Sequence, residues 1–261
     1  MVGMPGIRGV LLDLDGTVLI GETLVPGVHE AMARLAEEGL RVIFLTNNSY
    51  YSRRMIVEKL TRMGLPVSRG DVFNSGYAAA VYVRDTLGPS RGVYVVGEAG
   101  LIEEMILEGH RPVTRAEEAD AVVVGGTKDL TYTKLVEAHR AILRGALFVA
   151  TNKDHVYMTE HGPYPGAGAT VRYLEYSSRV EARLVGKPDR YLADLALRSH
   201  GLEPSRVVVV GDNEEVDMAL AKRIGAPGIL VLSGITKMPV NSEWFVARSL
   251  LEVPEKIRSL L

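Results

Sequence analysis

Short runs of apolar, often β-branched residues alternate with longer amphipathic stretches along this chain. The clearest run is four consecutive valines, residues 207–210, which lead directly into Gly211 and Asp212. Nearly continuous apolar runs are typical of parallel strands that are buried on both faces. These runs predict strands at 9–14, 41–46, 93–96, 121–124, 147–150, 207–210 and 229–232, and the amphipathic stretches predict helices at 29–38, 52–63, 77–86, 132–143, 169–176, 189–199 and 215–224. The alternation predicts an α/β fold with right-handed crossovers.

The composition excludes several classes of function. The 261 residues include no Cys, which excludes disulfides, thiolate metal sites and a cysteine nucleophile. The formal net charge of -2 provides no electrostatic footprint for nucleic acid. The first residues lack the charge and apolar length of a signal peptide, and no segment has the apolar length of a membrane span. We therefore expect a cytoplasmic protein with no nucleic-acid or membrane partner.

Two carboxylates follow the first predicted strand. Asp13 and Asp15 are separated by one residue, and Gly16 and Thr17 come next. Ligands of open α/β sheets bind at the carboxyl ends of the strands, where residues i and i+2 lie on the same side. Two carboxylates held together repel unless they share a proton or a divalent cation, and oxygen ligands suit Mg²⁺. The pattern predicts a Mg²⁺ site, with Gly16 allowing a tight turn and the approach of its amide to an anion; a simple Asp-containing turn is the alternative.

Two further motifs offer groups that can bind a phosphoryl oxygen. The strand at 41–46 ends in Thr46, Asn47 and Asn48, whose hydroxyl and amides can donate hydrogen bonds, although a cap of the following helix is the alternative. Lys187 precedes Pro188, which can start a helix, and its charge could neutralise a phosphate or a carboxylate. A solvated surface lysine is the alternative.

Carboxylates also follow the run of valines. Asp212 can complete a metal site with Asp13 and Asp15, because it too lies at the carboxyl end of a strand. Asp217 comes five residues later and is better placed to orient its neighbours than to bind a metal directly, and Asn213 is a second candidate for such a supporting role. Acidic residues that complement a helix N-terminus are the alternative, which accounts for Glu214 and Glu215 better than for Asp212.

In this order the four motifs resemble those of the haloacid dehalogenase (HAD) superfamily of aspartate-nucleophile phosphohydrolases. Asp15 and Thr17 match its phosphatase branch rather than its dehalogenase branch. From about residue 9 to about residue 236 the chain is similar to the NagD and p-nitrophenyl phosphatase group, and the segments that carry this likeness are Pro26-Gly27, Thr46-Asn47-Asn48-Ser49, Gly97-Glu98, Thr131-Tyr132, Ala150-Thr151-Asn152-Lys153-Asp154, Pro165-Gly166-Ala167-Gly168 and Val185-Gly186-Lys187-Pro188. The chain departs from the group at Val216, Met218 and the pair Tyr50-Tyr51.

The resemblance implies a doubly wound, Rossmann-like parallel sheet as the core, with an inserted, smaller α/β cap domain of the C2 type. The interval from 48 to 186 is long enough for such a domain, whereas only one helix fits between the first two motifs. The predicted domains are therefore 1–74 for the first core segment, 75–183 for the cap and 184–261 for the second core segment. Within the cap, the Gly- and Pro-rich stretch 160–168 predicts an ordered loop.

The resemblance also implies a role for each motif residue. Asp13 would attack phosphorus, and Asp15 would protonate the leaving alcohol and then activate water. Mg²⁺ would be held by Asp13, Asp212 and the backbone carbonyl of Asp15. The remaining residues would bind the phosphoryl group or support the site: Thr46 and Lys187 as catalytic residues, Gly16, Asn47, Asn48 and Tyr157 as substrate-binding residues, and Asp217 and Asn213 as supporting residues. Around Tyr157, the cap segment 153–168 also offers His155, His161 and Tyr164 to the leaving group.

The predicted function is thus a Mg²⁺-dependent phosphomonoester hydrolase of small phosphorylated metabolites, similar to p-nitrophenyl phosphatases. A dedicated phosphatase for phosphoglycolate, a sugar phosphate or a nucleoside monophosphate is the nearest alternative. A non-catalytic phosphate-binding protein is a third possibility, against which the intact Asp13 and Asp15 argue. The resemblance also makes a homodimer through the cap plausible.

Overall fold

The computed structural model describes residues 6–159, 162–240 and 243–259. In chain order its strands are β1 (Gly9–Leu12), β2 (Leu19–Ile20), β3 (Thr23–Leu24), β4 (Arg41–Thr46), β5 (Val72–Asn74), β6 (Gly92–Val96), β7 (Arg111–Val113), β8 (Ala121–Val124), β9 (Leu147–Ala150), β10 (Val156–Thr159), β11 (Gly162–Pro165), β12 (Arg183–Leu184), β13 (Val207–Gly211), β14 (Gly228–Val231) and β15 (Phe245–Ala247). Its α-helices are α1 (Val28–Glu37), α2 (Arg53–Arg62), α3 (Ser75–Leu87), α4 (Ala99–Leu107), α5 (Tyr132–Leu143), α6 (Ala167–Ser178), α7 (Tyr191–His200), α8 (Ala219–Ile224) and α9 (Val253–Arg258).

The chain forms two compact units. The first consists of residues 1–46, 59–73 and 187–261, and the second of residues 47–58 and 74–186. The predicted domain boundaries at 74 and 183 stay a prediction, and the short segment 47–58 groups with the second unit rather than with the strand that it follows.

The first unit is built on a six-stranded sheet with the order β15-β14-β13-β1-β4-β5. Strand β1 pairs in parallel with β13 on one side and with β4 on the other. From β1 the chain proceeds outward to β4 and β5, and later strands extend the sheet in the opposite direction, so the strand order reverses beside β1. Such a reversal opens a crevice at the carboxyl ends of the central strands, and it is the usual ligand site of a doubly wound sheet.

The second unit contains a parallel sheet with the order β12-β9-β8-β6-β7. Its core is apolar and combines strand residues such as Val122, Val124 and Phe148 with Leu174 of α6 and Ile142 of α5. The predicted α/β fold, with a doubly wound Rossmann-like core and an additional α/β cap, is confirmed by these two parallel sheets and their helices.

The sequence predicted a loop for the Gly- and Pro-rich stretch, but the structure shows that it is not only a loop. Its second half forms β11, which pairs with β10 in an antiparallel hairpin, and α6 already begins at Ala167. Pro163 and Pro165 are two residues apart, so both missing N–H groups fall on the same edge of β11, the edge without a strand partner in the described hairpin. Proline therefore excludes a central strand but not this one. Residues 160 and 161 lie outside the described residues.

The C-terminal part of the fourth motif also differs from its prediction. A regular helix was expected over 215–224, but the backbone forms a π-helical turn over Glu214–Met218 before α8 begins. The amide of Met218 donates to the Asn213 carbonyl at 3.4 Å, which is the i to i−5 pairing of a π-turn.

Among the described residues, no helix is long and apolar enough to cross a membrane.

Close packing of 50–52 on α4 explains why 47–58 belongs to the second unit. A Cβ at Gly100 would overlap the backbone of Tyr50, Tyr51 and Ser52. Four residues further along α4, the buried Glu104 accepts a hydrogen bond of 2.5 Å from the Arg53 amide at the start of α2. The carboxylate therefore satisfies an amide that a helix start would otherwise leave without a partner.

We predict that Gly100→Ala destabilises the protein although it lies in a helix. An ordinary Gly→Ala change inside a helix stabilises by about 0.5–1 kcal/mol. At Gly100 the added methyl would force the backbone of 50–52 away, and overpacking costs about 1–3 kcal/mol. Gly76→Ala in α3 is the matched control, because the nearest neighbours of its added Cβ would be side-chain atoms rather than backbone. The nearest of them is a Leu101 methyl at 3.3 Å, which can shift. The free energy of unfolding from urea titrations decides; equal stability of the two variants would contradict the packing argument.

Candidate active site

Three neighbouring strands of the first unit deliver polar residues to the same edge of the sheet. Asp13 follows β1 and continues its pairing with β13, because its amide donates to the Val210 carbonyl at 2.9 Å. Asp212 follows Gly211 at the end of β13, and Thr46 is the last residue of β4. The predicted meeting of the first, second and fourth motifs at the carboxyl ends of the strands is therefore what the first unit shows.

Lys187 joins the first and fourth motifs. Its Nζ donates to Asp13 Oδ1 and to Asp217 Oδ1, each at 2.6 Å, and only 2% of the residue is exposed. Burial opposes its charged form, but the Asp13 and Asp217 carboxylates outweigh burial and raise the pKa of Lys187 above its ordinary value. The alternative of a solvated surface lysine is wrong, because the side chain is buried. A buried ammonium needs charged partners such as these two carboxylates.

The carboxylates of Asp13, Asp212 and Asp217 form a buried acidic cluster, with one oxygen of each within 4.8 Å of the others. Burial is the main reason why the pKa of Asp13 lies well above its ordinary value, with the Asp217 and Asp212 charges adding to it and Lys187 opposing it. Burial, followed by the Asp217 charge, raises the pKa of Asp212 to about 7. One lysine does not neutralise three carboxylates, so the acidic cluster can take up a cation, and its oxygen donors suit a hard divalent one.

Asp217 is oriented by the turn that carries it. The Asn213 amide donates to its Oδ2 at 3.1 Å, and a Cβ at Gly211 would overlap its carboxylate. The Asn213 side chain in turn accepts from the Glu215 amide at 3.0 Å and starts the π-helical turn. The sequence placed Asp217 near the metal ligands as a supporting residue, and the structure brings its carboxylate into the acidic cluster itself.

Asp15 and Thr46 are also brought together. The Thr46 hydroxyl donates to Asp15 Oδ2 at 3.4 Å; Thr46 is buried, whereas Asp15 is exposed. The chain turns back immediately after Asp15, where Gly16 has a φ of +93° and its amide donates to the Leu19 carbonyl at 2.6 Å. Asp15 is therefore accessible to solvent at the start of a tight turn, whereas the Asp13 carboxylate is buried.

Asn47, Asn48 and Tyr157 lie in the second unit. The Asn47 side-chain amide donates to both oxygens of Asp154 at 3.2 Å, and the Asn47 carbonyl accepts from Ser75 and Asn152. Asn48 Oδ1 accepts from the Tyr50 amide at 3.0 Å. Asn47 is thus held by the second unit, through a carboxylate that the sequence analysis did not single out. Asp154 lies in the run Ala150-Thr151-Asn152-Lys153-Asp154, which is one of the segments that carry the likeness to the NagD and p-nitrophenyl phosphatase group, and this likeness was the signal for it.

The helix-cap alternative for the second motif is wrong. Helix α2 begins at Arg53, and the hydroxyl that accepts from its Met55 amide, at 3.2 Å, belongs to Ser52. Thr46, Asn47 and Asn48 come too early in the chain to cap this helix. Their polar side chains instead contact Asp15, Asp154 and the Tyr50 amide, respectively.

Tyr157 stacks on Tyr50 with ring centroids 4.8 Å apart and an interplanar angle of 33°. The Tyr50 ring packs directly on Gly126, where a Cβ would overlap it. Lys128 Nζ lies 5.9 Å from the centroid of the same ring. Of the other predicted cap residues, His155 and Tyr164 are exposed, and His161 lies outside the described residues. The departure noted at Tyr50 is therefore part of an aromatic pair with the predicted Tyr157.

Comparisons with known proteins agree with this arrangement. The haloacid dehalogenase-like hydrolase profile matches residues 10–111, and the related HAD-hydrolase-like profile matches residues 184–253. The p-nitrophenyl phosphatase from Archaeoglobus fulgidus has a similar structure, with a TM-score of 0.90, 34% identity and coverage of 97% of this chain and 100% of that one. The chain belongs to the haloacid dehalogenase-like hydrolases.

Two further relatives cover most of the chain. Phosphoglycolate phosphatase 2 of Arabidopsis thaliana is 34% identical over an alignment of 249 positions, which covers 87% of this chain and 83% of that protein. Glycerol phosphate phosphatase from Mycobacterium tuberculosis, solved in complex with magnesium, has 32% identity and a TM-score of 0.85, and the match covers 97% of this chain and 76% of that one. The predicted enzyme class, a phosphoric monoester hydrolase of the HAD type with NagD-like and p-nitrophenyl phosphatase-like neighbours, is confirmed.

The acidic cluster makes the stability of the metal-free protein depend on pH. Because the pKa of Asp212 is 3.8 ordinarily and about 7 here, the folded protein retains a proton that the unfolded chain has lost between these values. Stability therefore falls as the pH rises from about 4 to about 7. We predict that Asp212→Asn, measured by urea unfolding in EDTA, is more stable than the parent at pH 8 by on the order of 2–4 kcal/mol, and close to it at pH 3.5.

Asp129→Asn is the control for this experiment, because 79% of the Asp129 side chain is exposed and its removal changes stability by at most about 0.5 kcal/mol. A parent protein whose stability stays constant across this pH window would show that the pKa of Asp212 is not raised in the folded protein.

Proposed function

We propose that the protein is a Mg²⁺-dependent phosphomonoester hydrolase that acts on small phosphorylated metabolites through an aspartyl-phosphate at Asp13. The observation that carries this proposal is Lys187, which is buried between Asp13 and Asp217 at the carboxyl edge of the sheet. The ammonium fixes the direction of the Asp13 carboxylate and supplies positive charge where a phosphate dianion would have to approach. Electrostatic stabilisation of this kind contributes most of the catalysis in phosphoryl transfer.

The proposed reaction has two steps. Asp13 attacks phosphorus while the bond from phosphorus to the ester oxygen breaks, and Asp15 gives its proton to the departing alcohol. Asp15, now ionised, then takes a proton from a water molecule that attacks phosphorus, which releases inorganic phosphate and restores the Asp13 carboxylate. The exposure of Asp15 suits the exchange of protons in both directions. Its contact with the Thr46 hydroxyl keeps it beside the group that we assign to a phosphoryl oxygen.

We assign Mg²⁺ to Asp13 and Asp212, with the Asp15 carbonyl as a third ligand and Asp217 and Asn213 as supporting residues. The raised pKa of Asp13 supports this assignment, because burial and the neighbouring carboxylates disfavour the ionised form that a nucleophile needs, and a bound cation would favour it. Bound Mg²⁺ would keep both carboxylates ionised and reduce their repulsion of a phosphate dianion. Gly16, Asn47 and Asn48 remain our candidates for the phosphoryl group, and Tyr157 for the leaving group.

We predict that Asp13→Asn lowers the kcat for p-nitrophenyl phosphate by at least about 10³-fold, because an amide cannot form the acyl phosphate. Chelation of Mg²⁺ by EDTA should abolish the activity of the parent, and added Mg²⁺ should restore it. Asp71→Asn is the control, since Asp71 pairs with Arg41 and Ser68 far from the acidic cluster in the chain. Turnover by Asp13→Asn at the parent rate would refute the nucleophile, and a parent without activity on any phosphomonoester would favour a phosphate-binding protein.

The leaving group is the open part of the proposal. Relatives are named for p-nitrophenyl phosphate, phosphoglycolate and glycerol phosphate, so the shared chemistry does not fix the alcohol. Tyr50 follows Thr46 by only four residues, which confines its Cα to about 14 Å from that of Thr46. The pair Tyr50–Tyr157 and the neighbouring Lys128 are therefore our candidates to distinguish an anionic leaving group from a neutral one.

We predict that Lys128→Met raises the KM for phosphoglycolate about threefold or more and leaves the KM for glycerol phosphate unchanged, since only the former carries a carboxylate. Lys134→Met in the same unit is the matched control, because Lys134 is tied to Asp129 instead. Measurement of kcat/KM over a panel that includes a nucleoside monophosphate and a sugar phosphate then separates a broad enzyme from a dedicated one. Equal shifts for both substrates would exclude Lys128 as a reader of charge.

The homodimer through the cap and the cytoplasmic location stay predictions. Val156 and Tyr164, at 44% exposure each, offer apolar surface on the hairpin of the second unit that a second copy could cover. Light scattering after size exclusion measures the mass directly.

A further inference from the structure

The turn that follows β14 lies directly on the Asp212 carboxylate. The Ile235 amide donates to Asp212 Oδ2 at 2.5 Å, and the Thr236 amide donates to the Asp212 carbonyl at 3.0 Å. A Cβ at Gly234 would overlap this carboxylate, and so would a Cβ at Gly16. One oxygen of Asp212 is thus enclosed between two glycines and bonded to a backbone amide.

Side chains fasten the same turn to both loops of the site. The Ser233 hydroxyl donates to the Gly16 carbonyl at 2.7 Å, in the loop that follows β1. The Thr236 hydroxyl accepts from the Glu214 amide at 3.2 Å, in the turn that follows β13. The segment 233–236 therefore connects the loops that carry Asp13 and Asp212.

We propose that residues 233–236 are a positioning element of the cation site: they hold Asp212 Oδ2 and thereby direct Oδ1 toward the acidic cluster. This inference rests on the Mg²⁺ site of the proposed function. A carboxylate that rotates freely must be ordered when a cation binds, whereas one held by an amide is ordered beforehand. Partners of metal ligands typically contribute 10- to 100-fold to metal affinity, roughly, through such orientation. These residues act through Asp212 and do not contact substrate in this proposal.

Gly234→Ala tests the inference, because its methyl would displace the carboxylate. Gly234 does not have a positive φ, so alanine can adopt its backbone conformation, and the change acts through the overlap alone. We expect the dissociation constant for Mg²⁺, measured by calorimetry on the metal-free protein, to rise about tenfold or more. The Mg²⁺ concentration that gives half-maximal activity should rise in parallel, while kcat at saturating Mg²⁺ recovers toward that of the parent.

Gly70→Ala is the matched control. Gly70 also lacks a positive φ, and its Cβ would have only the Ser68 hydroxyl at 3.7 Å as a neighbour, so its Mg²⁺ affinity should equal that of the parent. A second pair covers the case in which Gly234→Ala fails to fold. Ser233→Ala removes the bond to Gly16 and should weaken Mg²⁺ binding about threefold, whereas Ser259→Ala removes a similar hydroxyl–carbonyl bond at the end of α9 and should not.

The outcomes separate this inference from the proposed function. Parent-like Mg²⁺ affinity in Ser233→Ala and in every folded Gly234→Ala preparation would overturn the positioning role. So would a parent protein that binds no Mg²⁺. A parent that binds Mg²⁺ with the expected losses in the variants, but hydrolyses no phosphomonoester, would support the positioning role and refute the proposed function.

Discussion

Lys187 Nζ lies 2.6 Å from a carboxylate oxygen of Asp13 and of Asp217, at a point where almost no water reaches any of the three side chains. A buried ion pair is costly to form and becomes strongly destabilising when one partner is lost. The lysine thus ties the loop after β1 to the turn after β13, and both to the segment by which the chain re-enters the first unit at residue 187. The geometry of the acidic cluster depends on this link.

The link can form only after distant parts of the chain have met. Lys187 is 174 residues from Asp13, and the central pair of strands, β1 and β13, comes from opposite ends of the sequence. The apolar side chains of these strands are buried on both faces of the sheet, and their burial stabilises the fold. This favourable free energy offsets the cost of burying three carboxylates with a single lysine. The same arrangement brings the charges to the position where the strand order reverses, where a crevice is available for a ligand.

Much of the fold followed from the sequence where one physical signal dominated. The apolar runs predicted β4, β8 and β9 at their observed bounds, and the helical period predicted α5. Strands β5, β7 and β12 are only two or three residues long, so no periodicity can develop in them. The strand β11 was missed because Gly and Pro outweighed its pairing with β10, which local sequence does not encode.

The site divides in the same way. Carboxylates that directly follow apolar strands were identifiable, because few structural reasons place charge there. The carboxylate of Asp154 beside Asn47 and the amide of Ile235 on Asp212 were not, because each depends on a backbone path or a contact between remote residues. A backbone amide in particular leaves no trace in residue type, except indirectly, through the glycine that must precede it.

The segment 47–52 connects two kinds of requirement. Thr46 ends a buried strand of the first unit, and the next residues are packed on α4 of the second, where Gly100 permits their close approach. Phosphoryl binding demands fixed geometry, which a strand end provides; the choice of leaving group needs side chains that can vary, which a loop provides. Tyr50 is packed within the second unit, whereas Thr46 and the acidic cluster belong to the first. Under the proposed function, the residues that act on the phosphoryl group and those that select the alcohol therefore lie largely in different units, although Tyr50 follows Thr46 by only four residues.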